Sequence, residues 1–147
     1  MNLEIVFSVA GVLAMIGWLV LLASPLIPTW SHRIAGRGIP VLLSVGYVIL
    51  ALFFTPATDG GFGSLQEIQQ LFSQQEALMA LWIHVLAFDL IIGAWMCEAA
   101  RTSDISFWLV VPCLALAFLF GPAGFLLFWV LRHLIVARKH RKTVMFG

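Results

Sequence analysis

An aspartate and a histidine stand inside an otherwise apolar run, residues 77–97. Asp89 is the thirteenth of those 21 residues, about 18 Å along a helix that rises about 1.5 Å per residue. An acid at the centre of a bilayer costs about 2.5–3.5 kcal/mol on insertion scales, so it is expected to face the bundle and find a partner. In its neutral form such an acid donates a hydrogen bond, or delivers a proton to a substrate. His84, five residues earlier, is a candidate base or orienting group. The two lie about 140° apart around a helix, so a pocket touches both only by wrapping around it. Asp89 shares its stripe with Trp82, Gly93 and Met96; His84 lies with Phe88, Ile91 and Trp95. Tyr47, in the preceding apolar run, is at a depth to meet Asp89, and Arg132 and His133 are expected on the side of His84. Asp89 and His84 are thus catalytic candidates, and Trp82, Tyr47 and Trp95 substrate-binding ones. The plainer alternative is that an Asp–Tyr or His–backbone hydrogen bond simply holds helices together. Ligation of a metal or haem by His84 with His133 lacks a second ligand pair. Cys97 and Cys113 form no CxxC motif, so neither metal nor cofactor is expected.

The elements that must hold these residues are membrane helices. Of 147 residues, 62% are apolar and 10% charged, with a mean hydropathy of +1.04. The charged share is well under the roughly 25% of a soluble domain. With a formal charge of +1, nothing here suits a nucleic acid. Four apolar segments stand out, at 5–27, 39–55, 77–97 and 106–136. A bilayer core is crossed by about 20 helical residues, so the expectation is an all-α bundle of four spans, the last kinked at Pro112 and at the Gly121-Pro122-Ala123-Gly124 break. A hairpin at that break would leave half-segments of about 15 residues, too short to cross. Residues 1–137 read as one membrane domain and 138–147 as a basic tail. The first segment lacks the basic leader of a signal peptide and reads as a retained helix.

Four spans put residues 28–38 and 98–105 on one side as loops, and the N-terminus, the 57–76 loop and the tail on the other. Arg33, Arg37 and Arg101 then oppose Arg132, Arg138, Lys139, Arg141 and Lys142, so the positive-inside rule conflicts with itself and orientation stays open. Glu98 and Arg101, three apart, are expected to pair. Arg33, Arg37 and the basic tail read as head-group anchors. Ala10, Ala14, Gly17, Ser44 and Gly46 read as packing notches.

Asp59-Gly60-Gly61-Phe62-Gly63 reads as a flexible turn. Ser64-x-x-Glu67 and Ser73-x-x-Glu76 each have the form of a capping box. Between them, Leu65, Ile68, Leu71 and Phe72 give one apolar face. A short amphipathic surface helix follows, either an interfacial connector or a lid over a lipid-side pocket.

Residues 60–65 (Gly-Gly-Phe-Gly-Ser-Leu) through Leu71-Phe72, then Trp82-Ile83-His84-Val85-Leu86-Ala87-Phe88-Asp89-Leu90, resemble the ABA4-like family. Pro112-Cys113-Leu114 and Phe120-Gly121-Pro122-Ala123-Gly124 are similar to its closing motif. The resemblance covers roughly residues 5–135 and places the family motif on Trp82, His84 and Asp89. It implies a four-helix membrane protein whose plant members are needed to make neoxanthin from violaxanthin. That conversion is formally an isomerisation: a 5,6-epoxide opens while a proton leaves C7, giving an allene and a tertiary alcohol. It needs an acid at the epoxide oxygen and a base near C7. By this resemblance the chain is a carotenoid- or isoprenoid-modifying isomerase; the alternative is a non-catalytic carotenoid- or lipid-binding accessory protein. The expected partners are membrane lipids and a hydrophobic isoprenoid or carotenoid ligand, with a homo-oligomer left open. Plant members carry a plastid transit peptide, whereas this chain opens at its first span; a bacterial inner-membrane protein is therefore expected.

Overall fold

The computed structural model describes residues 2–53 and 60–146, with side chains through residue 139. Asp59, the end of the second apolar segment at Thr55 and Pro56, and the side chains of Arg141 and Lys142 lie outside the described residues. The described elements are helical: α1 (Leu3–Leu22), α2 (Pro28–Phe53), α3 (Leu65–Phe72), α4 (Gln75–Thr102), α5 (Phe107–Phe120) and α6 (Pro122–Phe146). Three of them, α1, α2 and α4, are long and apolar enough to cross a membrane.

Local chemistry sets the helix ends. The Asn2 side chain accepts the N–H groups of Glu4 and Ile5 and starts α1. Pro28 opens α2, a position where its missing N–H costs no helical bond. Residues 28–38, expected as a loop, are helical and continue through a π turn (Ile34–Gly38) into the apolar stretch. Ser64 Oγ accepts the N–H of Glu67 at 3.2 Å, as the first capping box requires. The Glu67 carboxylate takes the Gly63 N–H at 3.1 Å. The second capping box does not form. Ser73 Oγ donates to the Gln70 carbonyl at 2.6 Å and closes α3, and α4 starts at Gln74 without a side-chain cap.

The long α4 is the hub against which α1, α2 and the α5–α6 pair are packed. Leu90, Met96, Val110, Cys113, Leu114 and Phe128 are fully enclosed there. Close fit, rather than release of water, holds apolar helices together in lipid. A β-carbon on Gly17 would lie 2.7 Å from Leu90, and one on Gly93 would lie 2.8 Å from Leu21. Each helix of the α1–α4 pair thus supplies a notch for a leucine of the other. Ala10 and Ala14 are buried in the same seam. Ser44 and Gly46 are not notches: Ser44 is exposed, and a β-carbon on Gly46 meets nothing within 4 Å.

The fourth apolar segment departs from the expected single kinked span. Pro112 is accommodated inside α5, and the break falls at Gly121. From there α6 folds back along α5. A side chain at Gly124 would overlap the backbone of Ala117, so the two helices touch main chain to main chain. Arg132 Nε donates to Ser103 Oγ at 3.1 Å, and Lys139 Nζ lies 2.9 Å from the Asp104 carboxylate. Along one straight helix residues 104 and 139 would be about 50 Å apart. The α5–α6 unit is therefore a helical hairpin, and its return limb ends beside the C-terminal end of α4.

Candidate functional site

The hairpin tip gives Asp89 its surroundings. Asp89 is the fifteenth of the 28 residues of α4, about 20 Å from either end. The 14 residues of α5 also cover about 20 Å, which brings Gly121 to the same level. A β-carbon on Gly121 would lie 2.6 Å from Asp89 Oδ1, so the carboxyl occupies the space that any other residue's side chain would fill. The N-terminus of α6 opens at this point. Its first-turn N–H groups have no intrahelical acceptor and carry partial positive charge. Among the described residues, no side-chain hydrogen bond or ion pair engages Asp89. The side chain is part-buried, with one aspect left toward the outside of the bundle.

Tyr47 does not meet Asp89. Its ring lies 5.8 Å from that of His84, which stacks on Phe88 at 4.6 Å. The five-residue offset turns His84 toward α2, while Asp89 turns toward the hairpin. Arg132 and His133 are not near His84 either. Arg132 is bound to Ser103 at the far end of α4, and His133 Nδ1 is 2.8 Å from the Trp129 carbonyl on its own helix. His84 and His133 therefore stand at different levels. Among the described residues no three His, Cys, Asp or Glu side chains are grouped to hold a metal ion.

The aromatic candidates divide among three neighbours. Trp82 stacks on Phe7 of α1 at 5.9 Å. It lines a largely apolar groove of about 440 Å³ with Leu3, Phe7, Met79 and Val85, and with Glu4 and Gln75 as its polar members. No residue of α3 lines that groove. Leu71 of α3 is buried, whereas Leu65 is 82% exposed, so the expected apolar face is only partly turned inward. Trp95 packs against Phe125 and Phe128 of α6, both at 5.6 Å. Trp82 and Asp89, two helical turns apart on α4, share a stripe about 10 Å long. That stripe runs from the groove at Trp82 to the Asp89 carboxyl beside Gly121.

Two features escaped the sequence reading. The first is Gly121 as the residue against Asp89. Its signal was the length from residue 106 to the Gly-Pro break, about 15 residues, roughly the distance from Asp89 to the C-terminal end of α4. The second is a polar group at the arginine-rich end, where Ser24, Ser31, His32 and Cys97 join the expected Glu98–Arg101 pair. The position of His32 beside Arg33, just after Pro28, hinted at it.

No curated protein and no solved structure matches the chain. The model of the ABA4-like family, described as ABA DEFICIENT 4-like, matches residues 5–128. The match takes in α1 through the first turns of α6, with Trp82, His84, Asp89 and Gly121 inside it. The chain is a member of the ABA4-like family.

Proposed function

We propose that this protein binds an elongated isoprenoid such as a carotenoid within the membrane and isomerises it, with Asp89 as the proton donor. The observation that carries this reading is the Asp89 carboxyl, set against the hairpin tip at mid-span without a side-chain partner. Family membership supports the substrate class. An epoxide-to-allene isomerisation adds a proton at the epoxide oxygen as that carbon–oxygen bond opens, and removes one from the neighbouring chain carbon. One carboxyl can do both in turn, donating as the acid and then accepting as the carboxylate. Overall, no proton or electron is gained or lost. His84, turned toward Tyr47, is then an orienting group at most; Trp82, on the Asp89 stripe, contacts the chain of the ligand, whereas Tyr47 and Trp95, packed on His84 and on α6, lie off that stripe. The host membrane is read as a bacterial inner membrane.

The separation of His84 from Asp89 favours a second reading, in which the same stripe holds a carotenoid without converting it. Purified protein incubated with epoxy-carotenoids, alongside pigment profiles of a deletion strain, tests both. Product formed with no other protein present selects the isomerase, and pigment that co-purifies unchanged selects the binder. Neither product nor bound pigment would sink both.

A further inference from the structure

At the arginine-rich end, two cavities of about 240 Å³ each share a wall. Pro28 and His32 of α2 form it with Glu98 and Arg101 of α4. The inner cavity holds buried Ser24 and Ser31, with the Cys97 thiol donating to the Leu21 carbonyl at 4.0 Å. The outer one lies between Thr29, Arg33 and Arg37. Glu98 is already neutralised, since its carboxylate takes Nη2 and Nε of Arg101 at 2.6 and 3.2 Å. Arg33 lies over the Trp30 ring at 5.9 Å. Among the described residues no carboxylate engages Arg33 or Arg37. His32 Nδ1 is buried with no hydrogen-bond partner, an arrangement kept only at a cost. Close approach fixes the ring there: a β-carbon on Gly36 would lie 3.3 Å from that nitrogen and 3.1 Å from Ala94. Among the described residues no hydrogen bond engages Nε2 either, which leaves that nitrogen for a ligand.

Two unpaired guanidiniums and an imidazole beside one cavity suit a tetrahedral oxyanion, which guanidinium forks bind through paired N–H donors. We infer that the outer cavity is a phosphate site, with Arg33 and Arg37 holding the oxyanion and His32 donating from the shared wall. The phosphate is that of an anionic phospholipid or a free phosphate ion. Both carry the same recognised group, and the cavity lies at the start of α2 and the end of α4, two helices long and apolar enough to cross a membrane.

The test uses the full-length protein, delipidated in detergent and titrated separately with phosphatidylglycerol and inorganic phosphate. Thermal midpoint and native mass spectra are the readouts. Saturable binding of phosphatidylglycerol alone names the lipid, and binding of inorganic phosphate alone names the free ion. In either case Arg33→Gln/Arg37→Gln should weaken apparent affinity by about tenfold or more. Arg138→Gln/Lys139→Gln removes equal charge from the same end and should leave it within about twofold. Equal losses in both pairs would mean diffuse attraction only and overturn the site, as would no saturable binding of either compound. Because Arg33 and Arg37 are exposed, their double variant should keep the size-exclusion profile; if the loss of the Lys139–Asp104 contact changes that of the control pair, Arg37→Gln against Arg138→Gln, both at exposed positions, provides the same comparison.

Discussion

Asp89 can be either a chemical group or a strut, and one amino-for-hydroxyl exchange separates the two. Asn keeps the shape of the side chain and can still donate and accept a hydrogen bond, but it has no acidic proton to transfer. Asp89→Asn should accumulate in the membrane as the parent does while product formation falls by about two orders of magnitude or more. If the carboxyl only ties α4 to the hairpin, Asn serves nearly as well and Asp89→Leu lowers the yield of folded protein. His84 faces Tyr47 and Phe88, so His84→Ala should cost less than about tenfold when Asp89 performs both proton transfers. A larger loss with unchanged folding would give His84 a share in the chemistry. Both residues were legible in the sequence because a polar residue in an apolar run is costly and therefore conspicuous. Their partners were not legible. Which neighbour a helix face meets depends on packing around α4, and that is why Tyr47 went to His84.

At the scale of elements, the hairpin is the feature that positions the site, and it depends on two glycines that hold close approaches. Gly124 lies on the Ala117 backbone, so Gly124→Val has no room to relax and should destabilise the protein by about 1–3 kcal/mol, read as a lower thermal midpoint in detergent. Lys139 provides a second check. It donates to the carbonyls of Ser103 and Asp104 and to the Asp104 carboxylate. The ammonium holds that carboxyl below the usual carboxylate range. A depressed folded-state value means that the contact contributes above the ordinary carboxylate range and is lost as the pH falls through the depressed one. Between pH 5 and 8 the return limb should therefore stay docked. With Asp104 and Lys139 kept, cysteines placed at 103 and 132, whose native side chains touch, should be joined by a short bis-maleimide over that whole interval, whereas one continuous span would leave them unjoined. The three long helices and the surface helix were readable from apolar length and the Ser64 cap. The hairpin was not, because length alone was asked whether a half-segment crosses. A limb of 14 residues need not cross; it only has to reach mid-depth and return. Non-helical backbone at that depth is tolerated where protein covers it, and here α4 does so.

For the whole molecule, folding the last segment back removes the charge conflict. With four spans, the cationic residues fell on both sides. In the observed fold Arg33, Arg37 and Arg101 share one end with Arg132, Arg138 and Lys139, because α6 returns to Ser103 and Asp104. The opposite end carries Glu4, at the start of α1, with Glu67 and Glu76 around α3. Lysine and arginine near span ends set orientation because they are retained on the cytoplasmic side. The arginine-rich end should then face the cytoplasm, with the start of α1 and the α3 surface helix outside. Cysteine labelling in intact and opened cells decides this, in a background with Cys97 and Cys113 replaced by serine or alanine. Cysteines at 33, 104 and 138 should react with a membrane-impermeant maleimide only after the cells are opened, and cysteines at 4 and 66 before it. If 138 labels in intact cells while 104 does not, the last segment crosses after all, and the tip that holds Asp89 is not a hairpin. If all five positions exchange sides together, the hairpin stands and only the orientation is reversed.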